Sequence, residues 1–76
     1  MPLRLDPSDT RPLPVQIAAA LRAQVAAGVL LPGERVPSTR HLASQLGISR
    51  GSVVTAYEQL TAEGYLTAEV GSGTVI

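Results

Sequence analysis

Two short apolar helical patterns that meet at a glycine constrain this chain more than any other feature. Leu42, Ala43 and Leu46 form a buried stripe for one short helix, and Gly47 ends that helix. Val53 begins the inner stripe of the next helix. Because alanine is small and glycine tolerates a positive φ, two such helices can cross closely around a tight turn. The spacing predicts a helix-turn-helix.

The flanking segments predict a third helix and a β-hairpin. A helical stripe at residues 17, 18, 21 and 25 predicts a first helix over residues 14–27. Ser38 and Ser49 are predicted N-caps of the second and third helices, and the third helix should run from Arg50 to about Glu63. Its inner face is predicted to be Val53, Ala56, Tyr57 and Leu60. Residues 34–36 are predicted to form a very short strand, and residues 65–70 and 74–76 a hairpin.

The predicted fold class is therefore mainly α with a small β-hairpin: a winged helix-turn-helix with three helices plus a wing. The chain has 76 residues, enough for one small domain. Residues 1–13 are predicted to form an N-terminal arm and residues 14–76 the winged helix-turn-helix domain. The chain ends on an apolar strand. We therefore expect it to be a fragment of a longer regulator whose C-terminal effector domain is absent here.

Composition excludes several classes of function. The sequence has no cysteine and one histidine, so disulfides and thiolate zinc sites are excluded. It has no lysine, which excludes a Schiff base with a carbonyl substrate or cofactor. No paired carboxylates, metal cluster or activated nucleophile are recognisable, so we expect neither a catalytic site nor a metal site. No apolar run approaches the roughly 18–20 residues of a membrane span. A cytoplasmic protein without a membrane partner is expected.

The net charge is zero, which is unusual for a nucleic-acid-binding domain. The distribution of charged residues along the chain is more informative than the net charge. Three arginines and no acidic residue lie between residues 35 and 57, and acidic residues lie on both sides of that window. The charge therefore predicts a local basic surface around the helix-turn-helix.

In a helix-turn-helix, the N-terminal end of the second helix enters the major groove of DNA. That end reads Ser49, Arg50, Gly51, Ser52. The two serines and the free backbone amides of the first turn suit phosphate oxygens, and arginine suits the edge of guanine. Gly51 would permit close approach to the sugar–phosphate backbone, unless the position makes no contact. Arg40, in the first turn of the preceding helix, is predicted to contact phosphate or a second base.

The predicted hairpin tip holds a second group of candidate DNA contacts. A Gly-x-Gly sequence that does not lead into a helix is a weak phosphate-loop signal. We therefore interpret Gly71 and Ser72 as a tip whose backbone lies along the minor groove, with Thr74 adding a phosphate contact.

The chain resembles the GntR family of bacterial transcription regulators over residues 11–76. The resemblance is carried by residues 12–17, 28–40, 42–43, 46–50, 63–66 and 71–74. It implies a winged helix-turn-helix that binds double-stranded operator DNA, as a homodimer in the full-length protein or on DNA. It also implies DNA contacts from Arg40, from residues 49–52 and from the wing tip near Val70 and Gly71. Val54 and Val70 depart from members that carry arginine or a polar residue there, so no base contact is expected from either.

The Gly-Ser-Gly-Thr wing and the Ala56-Tyr57 pair resemble the MocR subgroup of that family. This resemblance implies a separate aminotransferase-like domain that binds pyridoxal phosphate, and no cofactor in this chain. Other subgroups carry different effector domains. The alternative to DNA binding is a winged-helix module for protein–protein contacts, which zero net charge and the two apolar valines favour.

Overall fold

A computed structural model describes residues 3–69 and 73–76. It contains three helices followed by a two-stranded hairpin, in the order α1 (Leu13–Ala26), α2 (Thr39–Leu46), α3 (Arg50–Ala62), β1 (Thr67–Glu69) and β2 (Gly73–Val75). This order confirms the predicted fold class. The helix boundaries also agree with the prediction to within one residue.

Capping residues explain where α2 and α3 begin and end. Ser38 accepts a hydrogen bond from the backbone amide of His41, and Ser49 accepts one from the amide of Ser52, so both predicted N-caps are confirmed. Gly47 ends α2 in the left-handed region, at φ 67°. A residue with a Cβ would be strained in that conformation, which explains why glycine occupies the turn.

The core lies where α3 packs against both other helices. All four residues predicted for the inner face of α3 are buried, as are Leu42 and Ala43 of α2. Leu46, the third residue of the stripe predicted for α2, is only partly buried. In α1 the buried set is Gln16, Ile17, Ala18 and Leu21, whereas Val25 is only partly buried. Leu3, from the predicted N-terminal arm, is also buried in this core.

The hairpin is shorter than predicted at its first strand. β1 begins at Thr67 rather than at residue 65 because the backbone amides of Tyr65 and Leu66 both bond to the carbonyl of Leu60 at the end of α3. β1 and β2 pair antiparallel, with Ala68 opposite Thr74. The short strand predicted at residues 34–36 appears as a single bridge between Arg35 and Val75. Of the turn predicted at residues 71–73, Gly73 instead begins β2, because it pairs with Glu69 of β1. Residues 70–72 lie outside the described residues.

Candidate DNA-binding surface

The tight turn between α2 and α3 brings the first residues of the two helices together. The Nε atom of Arg50, at the start of α3, donates a hydrogen bond of 3.1 Å to the Oγ1 atom of Thr39, at the start of α2. Arg40 follows Thr39 in α2, and the Arg40 and Arg50 side chains are both exposed. The predicted contact residues from the two helices therefore belong to one surface, formed by residues 39, 40 and 49–52 and here called the helix-start surface.

The serines of this surface are partly engaged with each other. The hydroxyls of Ser49 and Ser52 lie 2.9 Å apart and share a hydrogen bond, and the Ser52 amide is capped by Ser49. The amides of Arg50 and Gly51, earlier in the first turn of α3, have no carbonyl within the helix to bond to. These amides and the positive end of the helix dipole make the start of α3 suitable for an anion such as a phosphate.

Among the described residues, nothing gives Gly51 a steric reason to be glycine. A Cβ atom built at this position would meet no atom within 4 Å, and its φ is not in the left-handed region. Glycine in a helix is less stable than alanine by roughly 1 kcal/mol. The cost is therefore not offset by any close packing in the described part of the chain.

Within the described part of the chain, the arginines of the helix-start surface form no ion pair with a carboxylate. In residues 3–69 and 73–76, ion pairs join Arg11 to Asp9 and Arg22 to Glu63, each at 2.7 Å. The Arg11 and Arg22 guanidinium groups, as hydrogen-bond donors, hold the pKa values of these two carboxyl groups below their usual range. Neither ion pair reaches the helix-start surface. A chain of zero net charge thus carries a locally positive surface where α2 and α3 begin.

Tyr57 fastens α3 to the segment that leads into α2. Its hydroxyl donates a hydrogen bond of 2.7 Å to the carbonyl of Pro37. Burial raises the pKa of Tyr57 to about 12, since the ionised form would lie in a poorly solvated position. The side chain is 6% exposed, which confirms the prediction that it lies on the buried inner face of α3.

The base of the wing faces the outer side of α3. A recess of about 540 Å³ lies between them, lined by Thr39, Val54, Glu58, Thr61, Ala68 and Thr74 among others. Thr74 is partly exposed, and its carbonyl accepts a hydrogen bond from the Val36 amide. Of the predicted wing contacts, only Thr74 is described; Gly71 and Ser72 lie outside the described residues, as does Val70.

Thr39 and Glu58 were not among the residues predicted for the site. No sequence signal marks the bond from Thr39 to Arg50, because their approach depends on the crossing of two helices. Glu58 falls on the outer face of α3 by helical periodicity, and that signal could have been used. In the described part of the chain, no group of three or more His, Cys, Asp or Glu residues is placed to hold a metal ion. No helix in the same residues is long and apolar enough to cross a membrane.

The fold and this surface define a winged helix-turn-helix DNA-binding domain. The chain belongs to the GntR family, because the model for bacterial regulatory proteins of the gntR family matches residues 13–76. It is 51% identical over 76 residues to the pyridoxine biosynthesis transcriptional regulator PdxR of Corynebacterium glutamicum. It is 46% identical over 72 residues to the probable rhizopine catabolism regulatory protein MocR of Rhizobium meliloti. These relatives confirm the resemblance to the MocR subgroup.

The match covers all of this chain and 17% of PdxR, and 95% of this chain and 15% of MocR. The chain therefore spans about a sixth of the length of these relatives. Among solved structures, YtrA of Sulfolobus acidocaldarius, a GntR-family transcription factor, is similar with a TM-score of 0.89 and 34% identity. That similarity covers 97% of this chain and 78% of YtrA. The DNA-binding domain of AraR in complex with operator ORE1 is similar with a TM-score of 0.80 and 25% identity, over 100% and 93% of the two chains.

Proposed function

We propose that this domain binds operator DNA with the start of α3 in the major groove and the wing beside the minor groove. The observation that carries the proposal is the helix-start surface, where Arg40 and Arg50 lie at adjacent helix starts. Among the residues that the structure describes, neither arginine is in an ion pair with a carboxylate. The AraR complex with its operator shows that a domain of this fold binds DNA. Recognition helices of helix-turn-helix proteins enter the major groove by their N-terminal residues.

Each predicted contact residue has a separate role in this proposal. Arg50 contacts the edge of a base, preferably guanine, and Arg40 contacts a phosphate or a second base. Ser49 and Ser52, with the free amides of the first turn, bind a phosphate. Gly51 leaves room for the sugar–phosphate backbone. Gly71, Ser72 and Thr74 contact the minor-groove side.

Glu58 limits how far this contact extends along α3. It is an exposed acid, two turns after Arg50 and on the recess that faces the wing. A carboxylate near phosphate is unfavourable, because like charges repel. The proposal therefore assigns DNA contact to the first half of α3 and not to the end that carries Glu58.

The proposal for the whole protein rests on its longer relatives. We propose that residues 1–13 are an arm and residues 14–76 the DNA-binding domain of a cytoplasmic regulator that pairs as a homodimer. A further domain would supply effector binding, with pyridoxal phosphate as the cofactor suggested by the MocR subgroup. The residues of this chain do not fit that cofactor, because the sequence has no lysine to form a Schiff base with it. No enzymatic role is proposed for the chain.

The proposal is tested by titrating the chain with DNA at two salt concentrations. The probe is a randomised duplex library, followed by the most enriched duplex and a scrambled version of it. We expect selective binding that weakens steeply with salt, because each neutralised phosphate adds about 0.9 to the slope of log K against log salt. Arg40→Ala should reduce that slope by about 1 if Arg40 contacts phosphate. If the folded chain binds no duplex even at low salt, the result would instead support a module for protein contacts.

A further inference from the structure

We propose that Thr39 is a positioning residue that sets the orientation of the Arg50 guanidinium for reading one base edge. This inference rests on the proposed function, since it concerns how the same surface selects its DNA sequence. The observation behind it is the hydrogen bond of 3.1 Å from the Arg50 Nε atom to the Thr39 Oγ1 atom. The two residues are 11 positions apart and belong to different helices.

Thr39 is a suitable anchor because its own side chain has little freedom. It is the first residue of α2 and is partly buried, whereas Arg50 is exposed. Threonine is branched at Cβ, which restricts rotation about χ1. An arginine side chain held at Nε by such a residue loses much of the rotation that an exposed arginine has. The conformational entropy of the Arg50 side chain is then lost when the domain folds rather than when DNA binds.

The bond also decides which edge of the guanidinium remains available. An arginine guanidinium has five N–H donors in a rigid plane. Because Nε–H is directed to Thr39, the four donors on the two Nη atoms are left for an incoming ligand. Two parallel donors along that edge match the O6 and N7 acceptors of guanine in the major groove.

A hydroxyl is a better anchor here than a carboxylate would be. It accepts the Nε hydrogen bond without neutralising the positive charge of Arg50. In the described residues the ion pairs involve Arg11 and Arg22, and Arg50 takes part in neither of them. The Thr39 hydroxyl therefore orients the guanidinium while leaving its charge available for the electronegative major-groove edge of guanine.

The test uses Thr39→Val, which preserves the shape of the side chain and removes the hydroxyl. Duplexes are first enriched from a randomised library by the wild-type chain. Binding is then measured to the most enriched duplex and to versions with each guanine replaced in turn. We expect Thr39→Val to reduce discrimination at one base pair by about 3- to 10-fold, the range for loss of one hydrogen bond. The salt dependence should not change, because no charge is lost.

Three further variants separate positioning from other roles. Thr39→Ser retains the hydroxyl and should restore discrimination. Thr55→Val, an exposed threonine of α3, is the matched control and should behave as wild type. In an Arg50→Ala background, Thr39→Val should cause no further loss, because the group that it orients is absent.

Several results would overturn the inference. Unchanged discrimination in Thr39→Val would do so, and so would an equal loss of affinity for every duplex. A loss that persists in the Arg50→Ala background would show that Thr39 contacts DNA directly. These outcomes leave the proposed function intact, since the wild-type chain still selects a sequence. A wild-type chain that enriches no duplex overturns the proposed function and the positioning role together.

Discussion

The arginines on the two sides of this domain are used in different ways. On the side formed by the N-terminal arm, α1 and the end of α3, Arg11 and Arg22 are each bound to a carboxylate at 2.7 Å. On the helix-start surface, Arg50 is bound to a neutral hydroxyl, and Arg40 is exposed. A net charge of zero therefore conceals a local difference. Asp9 and Glu63 each pair with an arginine, whereas the ion pairs of the described residues include neither Arg40 nor Arg50. Net charge is a poor guide to DNA binding in a domain with this arrangement.

The largest expected effect comes from removing the packing that holds the helix-start surface together. Leu42, a residue of α2, is fully buried in the core. We expect Leu42→Ala to lower the free energy of unfolding by about 3 kcal/mol, because a cavity is left in a packed core. Leu31→Ala is the matched control, since Leu31 is 56% exposed and should change stability little. Urea denaturation measures both. If the two variants lost the same amount of stability, the prediction that burial makes Leu42 more important than Leu31 would be wrong.

The next effect concerns the bond that fastens α3 to the segment before α2. The pKa of Tyr57 is raised from 10.0 to about 12 by burial, so the folded state favours the neutral phenol. Stability from this group is complete below pH 10 and is lost as pH rises from about 10 to 12. The loss should be about 2.5 kcal/mol. Unfolding midpoints at pH 9 and pH 12 measure it.

Tyr57→Phe provides the control for that titration. It removes the hydrogen bond to Pro37, so it should be less stable than wild type at pH 9. It should then lose less stability than wild type between pH 9 and pH 12. If the wild-type protein loses no more stability between pH 9 and pH 12 than Tyr57→Phe does, ionisation of Tyr57 is not the cause of the loss.

The comparison of arginines is tested directly on DNA. Arg50→Ala should lower specific binding by about 1–3 kcal/mol and relax discrimination at one base pair. Arg22→Ala removes the same charge from the contact between α1 and the end of α3, and it should leave discrimination unchanged. Both variants are titrated at one salt concentration with the enriched duplex and with the versions in which each guanine is replaced. The ratio of the affinities measures discrimination. If the two variants lose discrimination equally, the division between the two sides has no functional meaning.

Gly51 should separate stability from DNA binding. Gly51→Ala places a Cβ in open space, so we expect the free energy of unfolding to rise by about 0.5–1 kcal/mol. DNA affinity should fall, because the added methyl group occupies the space left for the sugar–phosphate backbone. Thermal unfolding and DNA titration measure the two effects. An unchanged DNA affinity would mean that position 51 makes no close contact.

The smallest effect is expected at the ion pair between Arg22 and Glu63. The Arg22 guanidinium, and then the Gln59 amide, lower the pKa of Glu63 by hydrogen bonding. Stability from this carboxylate is present at neutral pH and is lost as pH falls through its lowered pKa. Exposed ion pairs contribute little. Wild type and Glu63→Gln should therefore differ slightly at pH 7 and converge at pH 3, as measured by unfolding midpoints.

Much of the fold could be predicted because its signals are local. Helical periodicity identified the inner face of α3, and the cap residues identified the starts of α2 and α3. Contacts that lie outside the regular helical pattern were not predicted. Leu3 packs in the core, and Gln16 is buried with its amide donating to the carbonyls of Asp9 and Arg11. Neither residue stands out in sequence, since their partners are found only when the chain folds.

Local patterns in the sequence predict which residues form helices, which serines begin them and which glycine ends α2. They also place Arg40 and Arg50 at helix starts. These features depend on neighbours within a few residues along the chain. The contact of Arg22 with Glu63, 41 residues away, and the contact of Arg50 with Thr39 form only when the helices pack. The crossing of packed helices sets those distances. The same crossing therefore decides which arginines of the described residues pair with a carboxylate and which do not.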